Sequence, residues 1–156
     1  MPSPYDHTLM KLTSSLAHVA RTYRAAVDKV AAEYGLSQAT GLPVLMLGRA
    51  GDGVRCGVLA ETLGVEAPSL VRVTDHLIES GLVERREDAL DRRAKTLHLT
   101  DEGKRRAAQL EVALVPFRRQ LFDGIPEADV DTCLRVFSKL NAAVAVFNHA
   151  SGRRQA

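Results

Sequence analysis

Glu66-Ala67-Pro68-Ser69-Leu70-Val71-Arg72-Val73 is the centre of residues 56–100, the stretch whose reading decides the fold. Ahead of it, Val58, Leu59 and Leu63 mark a short helix over residues 55–63 that Gly64 ends. Pro68 suits the first turn of the next helix, where its missing N–H has no intrahelical partner in any case. That helix is expected over residues 68–80. Leu70, Val73, Thr74 and Leu77 face inward, Ser69, Val71, Arg72 and His76 face outward, and Gly81 is its stop. The period then changes from helical to alternating. Residues 82–86 (Leu-Val-Glu-Arg-Arg) and 95–99 (Lys-Thr-Leu-His-Leu) read as two short strands joined by the charged loop 87–93. A helix presenting polar side chains, beside a ribbon tipped by Asp91-Arg92-Arg93 with Lys95 at its edge, suits a grip on a DNA duplex at two places.

Outward from this stretch the chain is helical. Leu9, Leu12, Leu16, Val19, Tyr23, Val27, Val30 and Tyr34 recur every three or four residues, the spacing of one helix face over residues 5–34, and Gly35 stops it. A stripe of that length calls for a partner chain or a long partner helix. Ser37 is expected to cap a second helix carrying Leu42, Val44, Leu45 and Leu47 to about residue 49; Pro43 requires it to begin near Thr40 or to bend. Residues 50–53 (Ala-Gly-Asp-Gly) read as a turn. Thr100 caps a fifth helix whose first acids, Asp101 and Glu102, sit at the positive end of its dipole. Ala107, Leu110, Leu114, Phe117 and Leu121 line that helix, and Pro116 is expected to kink it. After a break at residues 122–126, a sixth helix carries Val130, Cys133, Phe137, Leu140, Val144 and Phe147, and residues 151–156 form a polar, flexible tail.

The fold class expected is mainly α with a small β wing. A winged helix-turn-helix lobe over residues 36–100 joins a helical dimerisation region from residues 1–34 and 101–150.

Composition narrows the function. Hydrophobic residues make up 46% of the 156, enough for a core, while aromatics at 4% and the absence of Trp make that core aliphatic. No apolar run is long enough to span a bilayer, and Met1-Pro2-Ser3-Pro4-Tyr5-Asp6 lacks a basic region followed by an apolar one; a cytoplasmic protein with no membrane partner is expected. The net charge of +2 is uninformative, but basic clusters stand at Arg85-Arg86, Arg92-Arg93-Lys95, Lys104-Arg105-Arg106, Arg118-Arg119 and Arg153-Arg154. Cys56 and Cys133 lie in apolar helical patterns and read as buried, inert thiols. The five histidines show no metal-ligand spacing with Cys or Asp. With no nucleophile elbow, phosphate-binding glycine loop or paired-carboxylate cleft, neither an enzyme nor a cofactor is expected.

The order of elements, together with Leu59-Ala60-Glu61-Thr62-Leu63-Gly64-Val65, Pro68-Ser69-Leu70-Val71-Arg72 and Leu77-Ile78-Glu79-Ser80-Gly81-Leu82-Val83-Glu84-Arg85, resembles the MarR family of bacterial transcription regulators. The most specific part is Asp91-x-Arg93 leading to Leu99-Thr100-x-x-Gly103. The resemblance implies a triangular homodimer in which the first and last two helices of each chain interlock and each winged lobe addresses half of a near-palindromic duplex operator.

Ser69 and Arg72 occupy the N-terminal, outward part of the recognition helix, where side chains reach base edges. Arg72 either pairs with guanine or touches phosphate, Ser69 holds phosphate or one base edge, and Val71 and His76 share the exposed face. His76 stands where family members often have Arg. The resemblance further implies that Arg93 enters the minor groove, with Asp91 orienting its guanidinium. An internal Asp91–Arg93 surface pair is compatible with that role. Arg92 and Lys95 are phosphate candidates.

The family also implies a small aromatic carboxylate effector, bound between the dimer helices and the winged lobe. Tyr5, His7, His18 and Arg21, with Met46 on the floor, are the candidate ligand residues. Alternatively, His18 and Arg21 are solvated or make dimer contacts. Redox-sensing relatives use a Cys near the start of helix one, and this chain has none there. The functional reading is a dimeric, sequence-specific DNA-binding repressor released by such an acid. The alternative is a winged-helix protein–protein assembly module, which has no need of the arginine tip.

Overall fold

The computed structural model describes residues 1–37, 39–51, 53–88, 90–91 and 93–152. In order, the elements are α1 (Pro4–Ala32), α2 (Gly41–Ala50), β1 (Val54–Arg55), α3 (Cys56–Leu63), α4 (Ala67–Glu79), β2 (Val83–Glu87), β3 (Lys95–Leu99), α5 (Asp101–Leu121) and α6 (Glu127–Gly152). Two compact units result, residues 1–117 and residues 118–156.

In the first unit, α1 opens on a reciprocal cap. Ser3 Oγ accepts from the Asp6 N–H at 3.2 Å, and Asp6 accepts from the Ser3 N–H at 2.6 Å. The helix closes where Gly35 turns to φ +70° and the Leu36 N–H reaches back to the Ala31 carbonyl at 3.1 Å. Only Val27 and Ala31 of α1 are buried; Leu9, Leu12, Leu16 and Val19 stand exposed.

Thr40, not Ser37, caps the second helix. Thr40 Oγ1 instead accepts from the Ser37 N–H at 2.8 Å, closing the turn that precedes α2. With the start at Gly41, Pro43 falls in the first turn, where no N–H is required.

The sheet differs from the expected hairpin by one strand. β1 pairs with β3, so β3 is central in the order β1-β3-β2, with Val54 opposite Leu97 and Arg55 opposite Thr96. Arg55 therefore belongs to this strand and α3 begins at Cys56. β2 is shifted one residue from expectation, ending with Glu87 opposite Lys95. Thr96 is buried at the centre of the sheet, opposite Arg55 on one neighbouring strand and Arg86 on the other. Its hydroxyl is 3.0 Å from His98 Nε2.

One aliphatic core joins these elements: Val27 and Ala31 of α1, Val44 and Leu47 of α2, Leu59 and Leu63 of α3, Leu70 and Leu77 of α4, Leu97 of β3, and Leu110 and Leu114 of α5. Val58, expected to face it, is exposed on α3.

Thr100 ties the sheet to α5. Its N–H donates to the Leu82 carbonyl (3.0 Å), its hydroxyl donates to the Gly81 carbonyl (2.7 Å), and Oγ1 accepts from the Gly103 N–H (3.1 Å). Gly103 is buried here, and a Cβ on it would collide with the Leu82 carbonyl, a backbone atom already held by Thr100. Gly103→Ala is accordingly expected to destabilise the fold by about 1–3 kcal/mol, read as a lower urea midpoint at unchanged slope; an unchanged midpoint would show that this joint yields freely.

Glu102 anchors the other side of the joint. It accepts from Arg105 at 2.6 and 2.7 Å and from Arg106 Nε at 2.7 Å, while Arg106 also donates to the Tyr34 carbonyl at the end of α1. The Arg105 and Arg106 hydrogen bonds lower the Glu102 carboxyl to about 2. A depressed carboxyl stabilises the fold above its unfolded value and loses that contribution as pH falls through its folded value. Glu102→Gln is expected to melt below the native chain at pH 7, and the gap should close as pH falls from about 4.5 toward 2. Thermal scans across that window check it; a gap constant with pH would assign the effect to something other than the charge.

Pro116 lies inside α5, which continues past it to Leu121. In the second unit, a turn with Gly124 at φ +77° precedes α6. On α6, Leu134, Phe137, Leu140 and Val144 are exposed. Cys133 is also exposed and Cys56 half-buried, which corrects the expectation of two buried thiols. Residues 153–156 of the expected tail lie outside the described residues.

Candidate nucleic-acid interface

The turn between α3 and α4 is set locally. Gly64 adopts the left-handed conformation (φ +64°) that ends α3, and the Val65 N–H closes on the Ala60 carbonyl at 3.0 Å. Pro68 then falls in the first turn of α4, and no side chain caps that turn's N–H groups.

Leu70, Thr74 and Leu77 bury one face of α4, and Thr74 satisfies its buried hydroxyl on the Leu70 carbonyl at 2.8 Å. The opposite face carries Ser69, Val71, Arg72, Asp75 and His76, all exposed. Asp75 pairs with Arg85 of β2 at 3.1 Å, fixing the helix against the wing. Arg72 forms no ion pair with a described residue, and 56% of Val71 is exposed, unusual for an aliphatic side chain on a helix so well seated on its other side.

At the wing tip the organising residue is Asp88, which the sequence reading did not single out. Its Oδ1 accepts from the N–H groups of Leu90 (2.8 Å) and Asp91 (3.2 Å), and its Oδ2 accepts from Arg55 Nε at 2.7 Å. The Arg55 hydrogen bond leads the causes that lower the Asp88 carboxyl and, reciprocally, raise the Arg55 guanidinium. An Asp accepting two backbone N–H groups just downstream is a recognisable turn signal. Its partner could not be read, because it comes from β1, 33 residues earlier.

Asp91 works in the same way. Its Oδ1 accepts the backbone N–H of Arg93 at 3.0 Å, and its carbonyl accepts the Ala94 N–H at 2.9 Å. Asp91 thus shapes the turn that presents Arg93, through the backbone and not through the guanidinium as expected. Arg93 is exposed, and Lys95 is paired with Glu87 across the strands at 3.1 Å. Arg92 lies outside the described residues.

Residues 34–94, which include the helix-turn-helix and most of the wing, match the model of the MarR family. The transcriptional regulator PA3341 is 35% identical with a TM-score of 0.79, over 86% of this chain and 98% of that one. The chain belongs to the MarR family. CouR from Rhodococcus jostii RHA1, solved bound to p-coumaroyl-CoA, is 26% identical with a TM-score of 0.69, over 83% of this chain and 90% of CouR. A mutant MarR from E. coli complexed with operator DNA shares the fold at 19% identity and a TM-score of 0.71, over 88% of this chain and 99% of that one.

Members of the MarR family are DNA-binding transcriptional regulators and not enzymes, and the α3–α4 pair with its wing is the module that places this chain among them. Among the described residues, no group of three or more His, Cys, Asp and Glu could hold a metal ion, and no helix is long and apolar enough to cross a membrane.

The candidate effector residues are spread out. Tyr5 and His7 lie in the first turn of α1, where His7 Nδ1 is 3.0 Å from the Ser3 carbonyl. His18 and Arg21 meet one another three turns later, with Arg21 Nη2 at 3.2 Å from His18 Nδ1. The rise of 1.5 Å per residue puts more than ~15 Å between the two groups along one helix. Met46, on α2, packs against the core. None of these five lines either of the two cavities described for this chain, which measure about 420 and 230 Å³.

Proposed function

We propose that this MarR-family chain is a homodimeric repressor of transcription in the cytoplasm, holding a near-palindromic duplex operator until a small aromatic acid releases it. The observation that carries the DNA-binding part is one module with two arginines that form no ion pair with a described residue. Arg72 stands on the outward face of a seated helix, and Arg93 stands at the tip of a turn braced by Asp88 and Asp91. Both side chains are free to exchange water for DNA without breaking an ion pair to a described residue.

Arg72 and Ser69 meet base edges or phosphate in the major groove, beside Val71 and His76, and Arg93 enters the minor groove. Arg92 and Lys95 meet phosphates. For Lys95 this means giving up Glu87, a surface pair worth little.

The exposed stripes of α1 (Leu9, Leu12, Leu16, Val19) and α6 (Leu134, Phe137, Leu140, Val144) support the second copy. Apolar rows of that length on separate helices are the mark of an interface. With α1, α5 and α6 as the helical dimerisation region, two winged lobes would address two half-sites. CouR, with its aromatic acyl-CoA, supports a small-molecule effector of aromatic-acid type. The five effector candidates could form one site only if another copy brings Tyr5 and His7 to the His18–Arg21 pair.

The test is a duplex binding titration against salt, using the promoter of the chain's own gene. Affinity should fall steeply as salt rises, the slope reporting the phosphates neutralised. Absence of duplex binding even at low salt would instead favour the protein–protein assembly module.

A further inference from the structure

The smaller of the two cavities holds an acid that no described residue satisfies. Its walls come from four helices and the turn between two of them: Arg24 and Asp28 of α1, Leu42 and Pro43 of α2, Leu63 at the end of α3, Val65, and Val73 of α4. Both carboxylate oxygens of Asp28 are closed off from solvent, and neither has a hydrogen-bond partner among the described residues. Such a carboxylate is destabilising unless a donor or a cation meets it.

Arg24, one turn earlier on the same face of α1, is placed to be that cation, yet its guanidinium donates to the Leu63 carbonyl at 3.3 Å. The remaining walls are aliphatic. An apolar slot with a single acid in its wall is complementary to an apolar molecule that carries one positive donor group.

We propose that this cavity binds a small, flat molecule presenting a protonated amine or amidine to Asp28. At about 230 Å³ it lies below the ~300–1,000 Å³ of sites for drug-sized ligands, so a single ring with its substituent is the right scale. Entry requires the side chains over the carboxylate to yield. Arg24, exposed and held by one long hydrogen bond, is the wall member that can swing.

The site is chemically opposite to one for an aromatic acid and shares no residue with Tyr5, His7, His18, Arg21 or Met46. Leu63, Val65 and Val73 put its wall on the recognition module itself, so an occupant bears on the helix that presents Arg72. That consequence rests on the DNA-binding reading, whereas occupancy does not.

Calorimetry and thermal shift on the full chain without DNA, using benzamidine with benzamide and benzoate as uncharged and anionic isosteres, test it. Benzamidine should bind and raise the melting temperature, with both isosteres about tenfold or more weaker. Asp28→Asn should weaken benzamidine by a similar factor. Asp28→Leu, which closes the wall with an apolar side chain, should melt at or above the native temperature and no longer respond. Equal benzamidine affinity in Asp28→Asn, or no binding to the native chain, overturns the proposal. A weakened dimer in Asp28→Leu with no benzamidine binding to the native chain also overturns it, by assigning the missing cation to a second copy. A benzamidine response without any duplex binding would leave the site standing and remove the DNA reading alone.

Discussion

Arg93→Ala is expected to bind a duplex operator about 1–3 kcal/mol more weakly than the native chain, roughly five- to 150-fold, while sedimenting as the same species. The turn that presents Arg93 is built from groups the substitution leaves alone. Asp91 accepts the Arg93 N–H through the backbone, Asp88 gathers the N–H groups of Leu90 and Asp91, and Arg55 braces Asp88 from the far strand. Removing the guanidinium therefore removes a contact to DNA and not the shape of the tip. A lysine at the same place should recover the salt-dependent part of the loss but not the part due to a planar guanidinium in a narrow groove. Parallel titrations of native, Ala and Lys forms at two salt concentrations separate these terms, and operator affinity indifferent to Arg93→Ala would remove the wing from the interface.

Phe137→Asp should convert the chain to a monomer at concentrations where the native chain is dimeric, and Leu16→Asp should do the same. Each sets a charge within an exposed apolar row, beside Leu134 and Leu140 in one case and Leu12 and Val19 in the other. Burying an unpaired carboxylate at an interface costs several kcal/mol. Central interface side chains are commonly worth about 2 kcal/mol or more, which is about a thirtyfold weaker dimer. Sedimentation equilibrium reads the change directly. Because both residues contribute little to the core of a single chain, the circular dichroism spectrum should be preserved. An unchanged dimer constant in both variants would place the partner surface elsewhere.

Much of the module was legible because its signals are local. Gly64 and Pro68 bracket a turn of a few residues, Leu70, Thr74 and Leu77 recur at helical spacing, and residues 95–99 alternate. Thr100 could be read as a cap for the same reason, although its second role, holding the Leu82 and Gly81 backbone, could not. The two-residue strand β1 was invisible, since two residues carry no period and its existence depends on pairing with Leu97 and Thr96 some 40 positions later. That strand also explains what else was missed: Arg55 on Asp88, and the burial of Thr96 at the centre of three strands instead of the edge of two. Cys133 was misjudged because an apolar period on α6 indicates only that a face wants covering, and within one chain that face stays exposed.

By itself the sequence determined the order of the helices and of two of the three strands, and the places of α4 and of the turn that carries Arg93, because hydrophobic period, caps and turn residues act over a few positions. Only the tertiary structure decided what each charged side chain does. Asp91 serves a backbone N–H, Asp88 takes Arg55, Glu102 gathers two arginines, and Asp28 is left without a donor among the described residues. Such pairings depend on distances between residues far apart in the chain, and a difference of one or two ångströms separates a hydrogen bond from none.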